Sequence, residues 1–149
     1  MLALTYSMSG TSRRTDPELM TRAEKASFHA YAPYSHFYVG AAVRTALGNV
    51  YTGANFENGS YGATICAERA AIGSALAQEN HHGRGIKIVR IAVFARTRKK
   101  QKPKTVSPCG ICRQVIFEFG RDALVDFLEN RRVISMSIHE LLPAPFELE

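Results

Sequence analysis

The apolar positions of this chain change period several times, and each change marks an element. Leu19, Ala23, Ala26 and Ala30 recur at three- and four-residue spacing, which is one face of a helix. Asp16 before them is a good N-cap. Pro17 at the first helical position lacks only an N–H that would go unpaired anyway. Pro33 predicts that this helix stops near Tyr31, because the residue before a proline disfavours helical backbone. Residues 37–46 and 50–54 read as strands joined by a tight turn at Leu47-Gly48-Asn49. A polar loop, 55–64, follows. Residues 66–79 predict an alanine-rich helix. Residues 86–95, with Ile88, Val89, Ile91, Val93 and Phe94, predict a buried strand. Residues 109–119 predict another helix, closed by Gly120. Residues 123–128 and 133–137 are the last strands. The link between them, 129–132, is far too short for a parallel crossover, so they predict an antiparallel hairpin. Ser137 and Glu140 have the spacing of a capping box for a short helix ending at Pro143.

This order predicts an α/β fold, a mixed five-stranded sheet with helices on both faces. A chain of 149 residues suits one domain that buries roughly two thirds of its unfolded surface. We assign residues 16–149 to that domain and 1–15 to a disordered tail. A weak transit peptide is the other reading of 1–15, which lacks the basic start and apolar run of a secretory leader. No apolar run approaches the length of a membrane span, so no membrane partner is expected. A composition of 46% hydrophobic and 21% charged residues excludes a disordered chain. The net charge of +6 invites a nucleic-acid reading, but Arg96, Arg98, Lys99, Lys100, Lys102 and Lys104 carry the whole excess. The basicity belongs to one segment, read as a solvated loop, and nucleic acid is not an expected partner.

The candidate chemistry lies in two short segments that hold all three cysteines of the chain: Cys66-Ala67-Glu68 and Pro108-Cys109-Gly110-Ile111-Cys112. C-x-E followed at a distance by P-C-x-x-C is the form of a zinc deaminase site. Three thiolates leave the fourth tetrahedral position of Zn²⁺ open, as a catalytic site requires and a structural site does not. No cysteine is left for a disulfide, and three reduced thiols fit the cytoplasm. Cys66 and Cys109 fall at predicted helix starts, and Cys112 follows Cys109 by about one turn on the same face. The positive end of a helix dipole favours thiolates there. Glu68 can reach a water in the open position without ligating the metal, and so can act as general base and acid. Three thiolates on Zn²⁺ leave one negative charge, which Arg69 and Arg113 are placed to offset. Alone, each piece is weak. A C-x-x-C pair also serves redox or half a structural zinc site, a lone Cys66 would be a core residue, and Glu68 a first-turn acid. None of the five histidines stands at ligand spacing to the cysteines.

With these motifs in place the chain resembles the cytidine deaminase family, in its small homotetrameric, three-cysteine branch. Tyr31-Ala32-Pro33-Tyr34-Ser35-His36-Phe37 resembles the family's approach to its first strand, and Gly53-Ala54-Asn55-Phe56-Glu57-Asn58 its ribose loop. Ile65 to Arg69 and Ser107 to Gln114 resemble its two zinc segments, and Glu140-Leu141-Leu142-Pro143 with Phe146 its C-terminal element. The resemblance implies a three-layer α/β/α fold, one Zn²⁺ on Cys66, Cys109 and Cys112, and Glu68 as the catalytic residue. It implies that Phe37 packs on the pyrimidine and that Asn55 and Glu57 bond the ribose hydroxyls. It also implies that the backbone at Ala67 helps hold the base and that Arg69 bonds the cysteine sulfurs. Tyr61 and Phe146 would reach a neighbouring subunit's pocket.

The implied reaction is hydrolytic deamination of cytidine and 2′-deoxycytidine to the uridines with release of ammonia, a step of pyrimidine salvage. The alternative within the same zinc chemistry is deamination of a cytosine nucleoside antibiotic such as blasticidin S, against which the Asn55 and Glu57 loop and Phe37 favour the plain nucleoside. Editing of a polynucleotide would call for a helix between the last two strands, where 129–132 leaves no room. A zinc-stabilised binding module without catalysis has no use for Glu68.

Overall fold

The structure, a computed structural model, describes residues 13–98 and 103–148. The expected tail up to residue 12, and Lys99, Lys100 and Lys102 of the basic segment, lie outside the described residues. The elements run α1 (Pro17–Ala26), β1 (Phe37–Thr45), β2 (Val50–Ala54), α2 (Ala67–Glu79), β3 (Ile88–Thr97), α3 (Gly110–Phe119), β4 (Leu124–Glu129), β5 (Arg132–Ser137) and α4 (Ile138–Leu141). The strands form one mixed sheet in the order β2-β1-β3-β4-β5, in which only β3 and β4 run parallel, with α3 between them in the chain. β4 and β5 form the expected antiparallel hairpin. Its turn places Asn130 and Arg131 in the left-handed region, the geometry that suits the twist of a two-residue connection.

Local chemistry accounts for the element ends. The Asp16 carboxylate accepts the Leu19 N–H at 3.0 Å and starts α1. The helix stops earlier than Pro33 alone predicts. Ser27 turns its hydroxyl back to the Glu24 carbonyl at 2.7 Å, and the chain tightens into a single 3-10 turn over Ser27–His29. Strand β3 begins at Ile88, two residues later than the apolar run suggests, and continues through Thr97. It does so because it pairs with β1 along its whole length, Phe37 opposite Thr97. Arg96, expected in the basic loop, is therefore a strand residue, and its guanidinium lies 4.4 Å from the ring centre of Phe28 and 4.6 Å from that of Tyr38. Ser137 and Glu140 form the expected capping box at α4.

Two glycines set the layers. Gly40 on β1 sits so close to α1 that a Cβ would lie 2.0 Å from the Ala23 carbonyl oxygen. Gly53 on β2 sits against α2, where a Cβ would lie 2.3 Å from the Ala71 nitrogen. In the β1–β2 register Gly40 faces Ala54 and Ala41 faces Gly53. Partners point to the same face and successive residues to opposite faces, so α1 and α2 cover opposite sides of the sheet. This is the three-layer α/β/α arrangement. The core between the layers is built from Leu19, Ala23, Val43, Ile72, Ile91, Val93, Ile116, Val125 and Phe127. Helix α3 packs beside α2, which brings the two cysteine segments together. Among the described residues no helix is long and apolar enough to cross a membrane.

Candidate active site

Cys66 and Cys109 are the N-cap residues of α2 and α3, both in extended backbone, with side chains that cap nothing. Their sulfurs are thus left for another partner at the positive ends of the two helices. Cys112, on the first turn of α3, is fully buried beneath them. The three sulfurs lie within 4.8 Å of one another, with Cys66 and Cys109 at 3.9 Å. Zn–S bonds of about 2.3 Å at tetrahedral angles place sulfurs about 3.8 Å apart. The donor set and its spacing therefore fit zinc. No histidine joins this cluster, and no other metal-holding group of His, Cys, Asp or Glu occurs among the described residues.

The cluster is already polarised. The hydrogen bond from Cys112 outweighs partial burial and, with Arg69 and Cys109, holds the Cys66 thiol down at about 5. Cys112, which gives that hydrogen bond and is buried near Glu68 as well, is shifted strongly upward. Arg69 donates to the Thr64 carbonyl at 3.0 Å and reaches the Cys66 sulfur at 4.0 Å. Arg113 does something else. It donates to the Pro108 carbonyl at 2.9 Å, the Ser107 hydroxyl at 3.3 Å and the Leu141 carbonyl at 2.8 Å. It braces the turn that carries Cys109 against α4, and the offsetting charge at the sulfurs comes from Arg69.

Glu68 stands on the first turn of α2, only 4% exposed. Burial pushes its carboxyl up to about 7, and the negative Cys66 adds to the rise. A cavity of about 420 Å³ opens over it, lined by Glu68, Cys66, Ala67 and Cys109 at one end and by Phe37, Asn55 and Glu57 at the other. Phe37 and Asn55 are held by one another's segments. The Asn55 side-chain Oδ1 accepts the Val39 N–H at 2.8 Å, and its Nδ2 donates to the Phe37 carbonyl at 3.0 Å. One amide hydrogen of Asn55 remains for a ligand. The Glu57 carboxylate is lowered mainly by the Ser35 hydroxyl, with the backbone N–H groups of Tyr34 and Ser35 adding to it.

Seven of the residues picked out from the sequence thus share one cavity, with Cys112 and Arg69 supporting it from behind. Tyr61 and Phe146 do not. Tyr61, 76% exposed, stacks edge-on against Tyr34 beside an adjoining cavity of about 400 Å³. Phe146, 67% exposed, is fixed to α3 by a two-way bond with Gln114, whose amide donates to the Phe146 carbonyl at 2.7 Å and accepts its N–H at 3.0 Å. Ser35, Thr64 and Ser107 also line the cavity and were not singled out from the sequence. Hydroxyls in loops carry no periodic signal.

Fold and thiol cluster together define a zinc-dependent deaminase of hydrolytic type. The family model "Cytidine and deoxycytidylate deaminase zinc-binding region" matches residues 13–127, and the chain belongs to this family. It is 40% identical over 133 residues to the cytidine deaminase of Halalkalibacterium halodurans, covering 88% of this chain and 93% of that one. It is 31% identical over 131 residues to the blasticidin-S deaminase of Bacillus cereus, covering 88% and 91%. Among solved structures, the cytidine deaminase of Burkholderia pseudomallei superposes with a TM-score of 0.75 at 41% identity, over 89% of this chain and 100% of that chain.

Proposed function

We propose that the chain deaminates cytidine and 2′-deoxycytidine hydrolytically, with Cys66, Cys109 and Cys112 as zinc ligands and Glu68 as the acid–base residue. The observation that carries this reading is a buried carboxyl, pushed up to about 7, between three convergent thiols and the floor of a cavity. A group with a pKa near the working pH both takes and returns a proton. Zinc, when bound, supplies Lewis acidity and makes a water acidic enough to react near neutrality. Glu68 takes a proton from the water that adds to C4 of the ring and passes it to N3. It then moves a second proton to the departing amine as the C4–N bond breaks. Cytidine and water become uridine and ammonia.

Phe37 packs on the base, the backbone at Ala67 holds its edge, and Asn55 and Glu57 bond the sugar. Arg69 neutralises the surplus negative charge of three thiolates on one Zn²⁺. Among the described residues no Lys, Arg or His lines the cavity, and Glu57 and Glu68 are the ionisable groups besides the thiols. That lining suits an uncharged nucleoside and repels a phosphorylated one. Tyr61 and Phe146, large and exposed, reach neighbouring sites in a homotetramer. Three cysteines with none spared for a disulfide support a cytoplasmic enzyme of pyrimidine nucleoside salvage. The kinship to a blasticidin-S deaminase favours a second reading, a cytosine nucleoside antibiotic as substrate.

Ammonia release from cytidine, deoxycytidine, cytidine monophosphate, blasticidin S and single-stranded RNA decides between these. The expected order places cytidine and deoxycytidine within about tenfold of each other in kcat/KM, with the monophosphate and RNA inert. Preference for blasticidin S would replace the first reading by the second.

A further inference from the structure

The turn between α1 and β1 is folded around a carboxylate. Glu57 reaches across from the loop after β2, and its Oε2 accepts the backbone N–H groups of Tyr34 at 2.9 Å and Ser35 at 3.2 Å. Its Oε1 accepts the Ser35 hydroxyl. The same serine oxygen accepts the N–H of Phe37 at 3.1 Å. Between Ser35 and Phe37 the chain passes through His36 at φ 54°, the left-handed region that few residues other than glycine adopt. That kink folds the serine hydroxyl back onto the N–H two residues on, and the His36 N–H closes the turn on the Ala32 carbonyl at 3.1 Å. Ser35, Phe37 and Glu57 all face the cavity.

The two carboxylate oxygens are not equivalent. Oε2 already accepts two donors, whereas Oε1 accepts one and keeps the capacity for another. A substrate hydroxyl that bonds Glu57 therefore meets the oxygen that Ser35 holds. We infer that Ser35 is a positioning residue for sugar recognition, its hydroxyl fixing Oε1 of Glu57 toward the cavity and tying it to Phe37. This rests on the reading of Glu57 as a sugar-binding group. A carboxylate held in its bound orientation loses less freedom when the substrate arrives, and that difference appears as affinity. Ser35 is itself exposed, so its truncation leaves the core intact.

The test compares Ser35→Ala, Ser35→Thr and Glu57→Gln on cytidine and 3′-deoxycytidine, each variant checked for zinc content and melting temperature. Ser35→Ala is expected to raise KM for cytidine about tenfold, with kcat within about twofold and a shrunken penalty for the 3′-deoxy analogue. Ser35→Thr, which keeps the hydroxyl, restores both values. An unchanged KM, or an equal loss of kcat on both nucleosides, overturns the assignment. If Glu57→Gln removes the 3′-deoxy penalty and Ser35→Ala does not, the serine assignment alone fails. If Glu57→Gln leaves the penalty intact, the sugar-binding reading of Glu57 fails and takes the serine with it. Should Ser35→Ala not fold, Ser35→Cys, nearly isosteric and a weak donor, carries the same comparison.

Discussion

Glu68 shows how much one side chain depends on its surroundings. On an exposed helix its carboxyl would stay ionised and do nothing beyond favouring the dipole. Buried between the thiols and the cavity floor it is pushed up to about 7, which suits the proton-carrying role proposed for it. Glu68→Gln keeps the size and removes the proton. It is expected to keep zinc and fold while losing roughly 10²–10⁴-fold in kcat. Turnover within tenfold of the parent, measured on protein of equal zinc content, would assign the proton transfer elsewhere. Glu68 and the cysteines were legible in the sequence because metal chemistry restricts residue type at fixed spacing. Arg113 was not read correctly. Its spacing from Cys112 suggested the sulfurs, but its planar fork satisfies two oxygens of the preceding turn and one of α4 instead. Ser35 went unread because a loop hydroxyl acquires its role only when the fold brings Glu57 across to it.

At the scale of elements, the site depends on how closely helices approach strands. Helix α2 carries Cys66 as its cap and Glu68 on its first turn, and it rests directly on the backbone of Gly53. A Cβ there would lie 2.3 Å from the Ala71 nitrogen and 2.7 Å from the Ala67 oxygen, backbone atoms that cannot swing aside. Gly53→Ala is expected to cost about 1–3 kcal/mol by overpacking and to lower zinc retention by lifting α2. Gly73 lies on the exposed side of the same helix, with nothing within 4 Å of a Cβ. Gly73→Ala should stabilise the protein by about 0.5–1 kcal/mol. Thermal melts of the pair test this, and a neutral Gly53→Ala would contradict it. Periodicity gave the number and type of elements but misplaced several ends. Strand β3 extends to Thr97 because β1 lies beside it, and α1 ends early because Ser27 bonds back to Glu24. Such ends are set by partners that lie elsewhere in the chain or by a local side-chain bond that competes with the helix.

The whole molecule contains a network that no motif announces. Asp126 on β4 is fully buried, and both its oxygens accept Arg90 of β3 at 2.9 Å while one accepts the Asp16 N–H at 2.8 Å. Arg44 of β1 in turn pairs with Asp16 at 2.9 Å. The start of α1 is thereby tied to three central strands. Arg14 gives its carbonyl to Arg90 and Arg13 pairs with Glu140, so the residues just before α1 are held too. Charges so distant in sequence carry no signal of their meeting, and the pairing of β3 with β1 and β4 was equally invisible, whereas the two hairpins were read from their short turns. The exposed rings of Tyr61 and Phe146 lead to an expectation about assembly. Light scattering should give four times the 16.5 kDa chain mass, and an active monomer would remove both residues from the site. Hydrolysis at C4 of cytidine is tested by turnover of cytidine by the zinc-loaded protein in ¹⁸O-labelled water, followed by mass analysis of the product and assay of ammonia. The expected product is uridine carrying a single ¹⁸O at C4, with one ammonia per uridine formed. Uridine without the label, or cytidine left untouched by fully zinc-loaded protein, would contradict it.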